Sequence, residues 1–390
     1  MVIDPQTVRS HWSLDPHVTF LNHGSFGACP CEVLTYQQTL REQLESDPVR
    51  FFVDEYEPLL DAARQDLATF VGAETQDLVF VPNATTGINT VLRSLSFQPG
   101  EELLTTNHEY NASRNALEFV AARSGAIVTV AEVPFPIASP DQVIDAILNA
   151  VTPSTRLLLI DHVSSQTGLI LPVEALVAEM TVRGIEVLID GAHAPGMVPL
   201  NLQTLGAAYY TGNCHKWLCA PKGAAFLYVR RDRHSQIRPL VISHGANTRR
   251  EDRSLFHLEF DWTGTGDPTP YLAIPKAIEF MAHLIPGGWD TLIIYNHHLA
   301  IAARQILCST LDTPPPAPDT MLGALASVPL PDGDANGLYR ALCDRQFQVP
   351  IVPWPEPTNR LIRISAQIYN SVDDYQSLAE TVRSLLQTEA

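Results

Sequence analysis

Two side chains set the chemistry open to this sequence. Asp190 closes the apolar run Val187-Leu188-Ile189, and Lys216 sits between His215 and Trp217, one further run and turn along the chain. A buried strand that ends in a carboxylate delivers it to the C-terminal edge of an open α/β sheet, where such sheets keep their ligands. The run GAAYYT reads as the next strand, and its polar turn carries the Lys216 ammonium into the same crevice. A lysine among apolar and aromatic neighbours is a candidate for a lowered pKa, the condition for attacking a carbonyl as a free amine. A buried Asp needs a cationic partner in its turn. A solvated Lys and a helix-capping Asp would explain either residue alone, but not both together with the turns around them.

The elements that must hold these groups follow from periodicity. Residues 32 to 46 and 54 to 71 carry apolar side chains at helical spacing. From residue 78 short apolar runs alternate with helical stretches, the pattern of an α/β protein. LVFVPNATTGINTVLRSL reads as strand, turn and helix with Asn83 as N-cap, and a helix N-terminus of this kind suits an anion. EELLTTNHEYNASRNALEFV repeats the theme, with His108, Glu109 and Tyr110 in its turn, and Leu157 to Ile160 form a buried strand that runs out into Asp161-His162-Val163-Ser164-Ser165. Before them, VTFLNHGSFGACP is a short strand entering a loop whose Gly24 and Gly27 permit backbone placements that a side chain would forbid. Asn22 and His23 in that loop are candidate substrate contacts. Residues 1 to 20 read as an extended arm, residues 21 to 285 as a large domain, and residues 286 to 390 as a smaller α/β domain. The smaller domain has a helix over 289 to 311, a Pro-rich linker at 314 to 318, and a late apolar strand bearing Arg363. The planar fork of that arginine suits an amino-acid carboxylate, with a structural ion pair as the alternative.

Composition narrows the field. The chain has 390 residues, 45% of them hydrophobic, enough for a sizeable core and two domains. Acids outnumber bases 43 to 25, for a formal charge of -18, and no basic patch of the kind nucleic acid requires is present. No signal-type leader and no run of membrane-spanning length is seen, so a cytoplasmic protein away from membranes is expected. The six cysteines lack zinc-type spacing and are expected to be reduced thiols.

A lysine able to join an aldehyde as a Schiff base and an acid able to keep a ring nitrogen protonated are together what pyridoxal 5'-phosphate asks of a protein. Six segments carry a wider likeness: LNHGSFGACP at 21 to 30, NATTGIN at 83 to 89, NHEYNA at 107 to 112, DGAHAPG at 190 to 196, TGNCHKWLCAPKG at 211 to 223 and RISAQIYN at 363 to 370. In this order the chain resembles the class V aminotransferase superfamily of fold-type I enzymes, and within it isopenicillin N epimerase-like proteins. The resemblance implies a mainly parallel seven-stranded sheet between helices, with a smaller C-terminal α/β domain. It also implies a cofactor phosphate gripped by Ala84, Thr85 and Thr86 with Asn213 and His215, and Tyr110 stacked on the cofactor ring. Ser165 or Gln166 would reach the phenolic oxygen, His193 that oxygen or the ring face, and Lys216 and Asp190 would lie at the reacting centre. Gly264 and Thr265 would reach the phosphate of a neighbouring subunit, which makes the expected partner a second copy of the chain in a homodimer with shared active sites.

The expected reaction starts with an amino acid held by Arg363 and loss of its α-proton, with Lys216 as proton carrier. Desulfurases of this superfamily carry a cysteine shortly before that arginine, and FQVPIVPWPEPTNRLIR has none, so persulfide chemistry is not expected. Epimerisation is the first expectation, with a carbon-sulfur lyase or an aminotransferase as alternatives. Two readings of other kinds stay open: a metal-dependent hydrolase built on Asp161, His162, Asp190, His193 and His215, and a catalytically silent cofactor-binding protein.

Overall fold

The computed structural model describes residues 4–389. Seven apolar runs pair into one sheet: β1 (Leu78–Val81), β2 (Glu102–Thr106), β3 (Ile127–Ala131), β4 (Thr155–Asp161), β5 (Glu186–Asp190), β6 (Tyr209–Asn213) and β7 (Ala225–Val229). Their spatial order is β1-β7-β6-β5-β4-β2-β3. Only β7 runs against its neighbours, β1 and β6, and the remaining pairings are parallel. The central strands are apolar on both faces because both faces are covered. Leu158, Ile160, Val187 and Ile189 enter one hydrophobic core, while Leu157, Leu159 and Leu188 enter a second on the other side, the alternation that a pleated strand imposes.

Helices α1 (Cys31–Ser46), α2 (Tyr56–Val71), α3 (Ala84–Ser94) and α4 (Asn111–Ser124) fall where the periodicity places them. The Asn83 side chain accepts from the Thr86 N–H at the start of α3, as its position before the helix predicts. A second sheet, antiparallel, joins β8 (Leu325–Leu330), β9 (Ile351–Pro353) and β10 (Arg360–Ser365) in the order β9-β10-β8. It is accompanied by α5 (Gly288–Thr310) and α6 (Val372–Glu389), which pack on each other.

The first twenty residues differ from the extended arm expected, of which residues 1 to 3 lie outside the described residues. Pro5–Arg9 is a short helix capped by Asp4, and Thr19–Phe20 pairs in parallel with Phe347–Gln348. That pairing sets the Gly-rich loop between the two sheets. No helix among the described residues is long and apolar enough to cross a membrane, and all six cysteines are free thiols.

Candidate functional site

The C-terminal tips of β4 and β5 stand in register, Asp161 beside Asp190, and the turn after β2 adds Glu109. Carboxylate oxygens of the three lie within 4.8 Å of one another, and all three residues are buried. Asp190 is the best supported of them: its Oδ2 accepts from Ser113 Oγ–H at 2.7 Å and its Oδ1 from the Ala192 N–H at 3.0 Å. Burial nevertheless pushes the Asp190 carboxyl above the usual range, against the pull of Ser113, Ala192 and the Lys216 charge. Burial raises Glu109 and Asp161 as well, and the neighbouring acids add to the rise. Three acids in so dry a place call for positive charge at this end of the crevice.

Lys216 approaches from the turn after β6. Its Nζ lies 3.2 Å from His193 Nε2. Some of its surface stays open to solvent, yet burial of the amine, aided by the Arg363 charge, lowers its pKa to about 8. About a tenth is therefore free amine at pH 7, where an ordinary lysine has almost none. The backbone beside it is clamped: His23 Nε2 meets the Lys216 carbonyl at 3.0 Å, and a Cβ on Gly27 would stand 2.7 Å from Lys216 Cα. The Gly-rich loop therefore lies flat against the lysine turn, a contact only glycine permits. His23 is fully buried and its Nδ1 meets the Tyr369 hydroxyl at 2.7 Å. With both ring nitrogens engaged it braces Lys216, which corrects the expectation that it contacts substrate.

Arg363, on β10, is buried and has no carboxylate partner among the described residues. Its Nη1 donates to the Ser165 carbonyl at 2.5 Å and to Ser165 Oγ at 3.2 Å, its Nη2 to Ser25 Oγ at 2.6 Å and to Asn22 Oδ1 at 3.4 Å, and its Nε finds no acceptor. Burial lowers even this guanidinium, to about 10. Asn22 thus stands beside Arg363. Ser165 accepts from the guanidinium through its carbonyl and its hydroxyl oxygen, and the hydroxyl keeps its own hydrogen to donate. Tyr110, 42% exposed, stands at the N-terminus of α4, near enough for its hydroxyl to act on the Arg363 charge.

At the start of α3 the structure redistributes the expected phosphate contacts. The Ala84 N–H donates to Asn213 Oδ1 at 2.8 Å, while the Thr86 N–H and Oγ1–H both donate to Asn83 Oδ1. Those groups brace the turn that would receive an anion. His215 Nδ1 meets the Ala224 carbonyl at 2.9 Å, so its Nε2 is the nitrogen left for a ligand. Gly87 packs on β6, where a Cβ would stand 2.7 Å from Thr211 Cβ. Gly264 and Thr265 are exposed, and Gly264 lines a cavity of about 290 Å³ together with Thr86, Phe52, Tyr56 and Trp262.

The hydrolase set does not assemble. The group of metal-ligand type found among the described residues is Glu109, Asp161 and Asp190, without a histidine. His162 turns its Nδ1 to the Tyr210 hydroxyl at 2.9 Å, His193 faces Lys216, and His215 is tied to Ala224. Sequence reasoning missed Ser113, Ser25 and the indole of Trp217. Ser113 follows Tyr110 closely in the first turn of α4, a position that would have pointed it at the neighbouring strand tip.

An amine of lowered pKa, a buried acid cluster that calls for positive charge, and a guanidinium without a carboxylate are a donor set that fits a pyridine-type cofactor carrying an aldehyde and an amino-acid substrate. The fold is that of the fold-type I enzymes: a cysteine desulfurase from Escherichia coli superposes with a TM-score of 0.81 at 20% identity, covering 100% of each chain. Residues 34–307 match the family described as Aminotransferase class-V. Isopenicillin N epimerase from Amycolatopsis lactamdurans is 36% identical over 97% of each chain, and a probable chloroplastic L-cysteine desulfhydrase from Arabidopsis thaliana is 30% identical over 95% of this chain and 84% of that one. The chain belongs to the class V aminotransferase family, and its cofactor is pyridoxal 5'-phosphate.

Proposed function

We propose that this chain is an epimerase that inverts the α-carbon of an amino acid or amino-acid-derived substrate, with Lys216 taking the α-proton. The observation that carries the reading is Arg363, a buried cation supplied only with neutral oxygens and electrostatically coupled to Lys216. A substrate carboxylate completes it. When bound, the cofactor supplies the aldehyde that takes an amino group and the ring that withdraws electrons from the α-carbon. Asp190 would keep the ring nitrogen protonated, and Tyr110 and His193 would help to hold the ring. Thr85, with Thr86, Asn213 and His215, attends the phosphate. Asn22 and Ser25 orient Arg363. Gly264 and Thr265 complete the phosphate site of a second copy in a cytoplasmic homodimer, and residues 21 to 285 and 286 to 390 form the larger and smaller domains. The relative named an epimerase supports this reading through its identity over 97% of both chains.

A second reading, β-elimination by a carbon-sulfur lyase, is favoured by the desulfhydrase relative. It shares the first proton abstraction. Persulfide formation on a protein thiol is disfavoured, because burial pushes the Cys29 thiol up to about 12 and raises Cys214 and Cys219 as well. Incubation with isopenicillin N and with L-cysteine in deuterated water separates the readings. An α-deuterated inverted product supports the epimerase, pyruvate with sulfide supports the lyase, and neither product overturns both.

A further inference from the structure

His193 lies between two nitrogen donors, and the geometry leaves it one protonation form. Trp217, next to the lysine in sequence, points its indole N–H at His193 Nδ1 at 3.4 Å, and Lys216 Nζ stands 3.2 Å from His193 Nε2. An indole nitrogen only donates, so Nδ1 must accept. A neutral imidazole that accepts on one nitrogen carries its hydrogen on the other. With hydrogen on Nδ1, two N–H groups would face each other, and the doubly protonated ring would repeat that clash. Burial, with the charges of Lys216 and Arg363, opposes the protonated ring in addition.

We infer that Trp217 is a positioning residue: its indole N–H holds His193 with hydrogen on Nε2, so that His193 donates to Lys216 and cannot take up a proton on that side of the crevice. A donor at Nε2 suits the lone pair of a neutral amine and repels an ammonium, so the pair favours the free-amine form of Lys216. Near neutral pH His193 is then no base for the α-carbon. Lys216 is left as the proton acceptor on its face, and the group serving the other face is to be sought away from His193. This last consequence rests on the proposed α-proton chemistry, whereas the tautomer itself does not.

The test is nitrogen NMR of the full-length protein labelled with [¹⁵N]histidine, as holoenzyme and again after removal of the cofactor, with His193→Gln to assign the signal. The expected spectrum near neutral pH has a protonated Nε2 and a bare Nδ1. Hydrogen on Nδ1, or on both nitrogens, overturns the inference, and this holds even if a Trp217 variant fails to fold. In Trp217→Phe the indole N–H is gone, and His193 is expected to populate both tautomers. The Lys216 pKa, followed through the pH dependence of cofactor association, should rise by roughly one unit, since about one hydrogen bond's worth of preference for the free amine is lost. The charges acting on Lys216 from Arg363, Asp190 and Asp161 are unchanged by that substitution. An unaltered tautomer and an unaltered pKa in a folded Trp217→Phe protein would sink the assignment. Protein with the expected tautomer but without either activity overturns the proposed function and leaves the tautomer standing.

Discussion

Arg360 and Arg363 lie on the same strand and on opposite faces of it, and they are treated differently. Arg360 is closed by a carboxylate, its Nη2 meeting Glu389 at 2.9 Å, whereas Arg363 meets only hydroxyl, amide and carbonyl oxygens. The same contrast separates two larger regions. Between α2 and the segment leading to Asp261, Arg64 and Arg253 share Asp61 and Asp261 in a closed network, with Arg64 reaching Asp261 at 2.5 Å and Arg253 reaching Asp61 at 2.9 Å. At the strand tips, three acids crowd together and two cations stand apart from them without direct pairing. Matched charges hold a fold; unmatched ones of both signs, kept dry, await ligands of complementary charge.

The comparison can be broken most directly at Lys216. In Lys216→Ala turnover should fall at least about a thousandfold and the visible absorbance of the bound cofactor should vanish; activity within tenfold of wild type would remove the lysine from the chemistry. The crossed pair Arg363→Met and Arg64→Met comes next. Arg363→Met should lower kcat/KM by about a hundredfold, mostly through KM, while the urea midpoint holds or rises, because a buried charge without a carboxylate is removed. Arg64→Met should do the reverse, losing about 3 kcal/mol of stability with kcat/KM retained per folded molecule. Equal behaviour of the two variants would dissolve the distinction. Gly87→Ala forces a methyl against Thr211 and should cost about 1–3 kcal/mol in urea unfolding, with weaker cofactor retention.

The smallest effect is a slope. Lys216 titrates at about 8 in the folded chain against an ordinary 10.5. Between those values the unfolded chain binds the additional proton, so the stability of cofactor-free protein should rise with pH across this window. Lys216→Met should remove that contribution, and a difference curve that is flat or falls through the window would contradict the lowered pKa.

Local chemistry made much of this legible beforehand. The strand tip at Asp190, the Asn83 cap and the helix boundaries are written in short stretches, where periodicity and capping act over a few residues. What escaped depends on contacts between distant parts of the chain. Ser25 and Ser165 meet on one guanidinium at position 363, and no spacing rule links them. His23 read as a loop histidine facing substrate, and only its burial against Tyr369 and the Lys216 carbonyl reveals a brace. Asn213 also braces the start of α3, its Oδ1 holding the Ala84 amide more than a hundred residues away. Such residues are chosen by the tertiary fold, and a sequence read alone shows only that they are polar.

The short pairing of Thr19–Phe20 with Phe347–Gln348 has a consequence for how the molecule comes into being. Residues 22 to 25 find their partners at Arg363 and Tyr369, which are made more than three hundred residues later. The seven-stranded sheet can assemble while translation continues, but the crevice lacks its guanidinium until then. A nascent chain stalled before Arg363 would carry the lysine and its acid without the arginine charge that acts on the lysine.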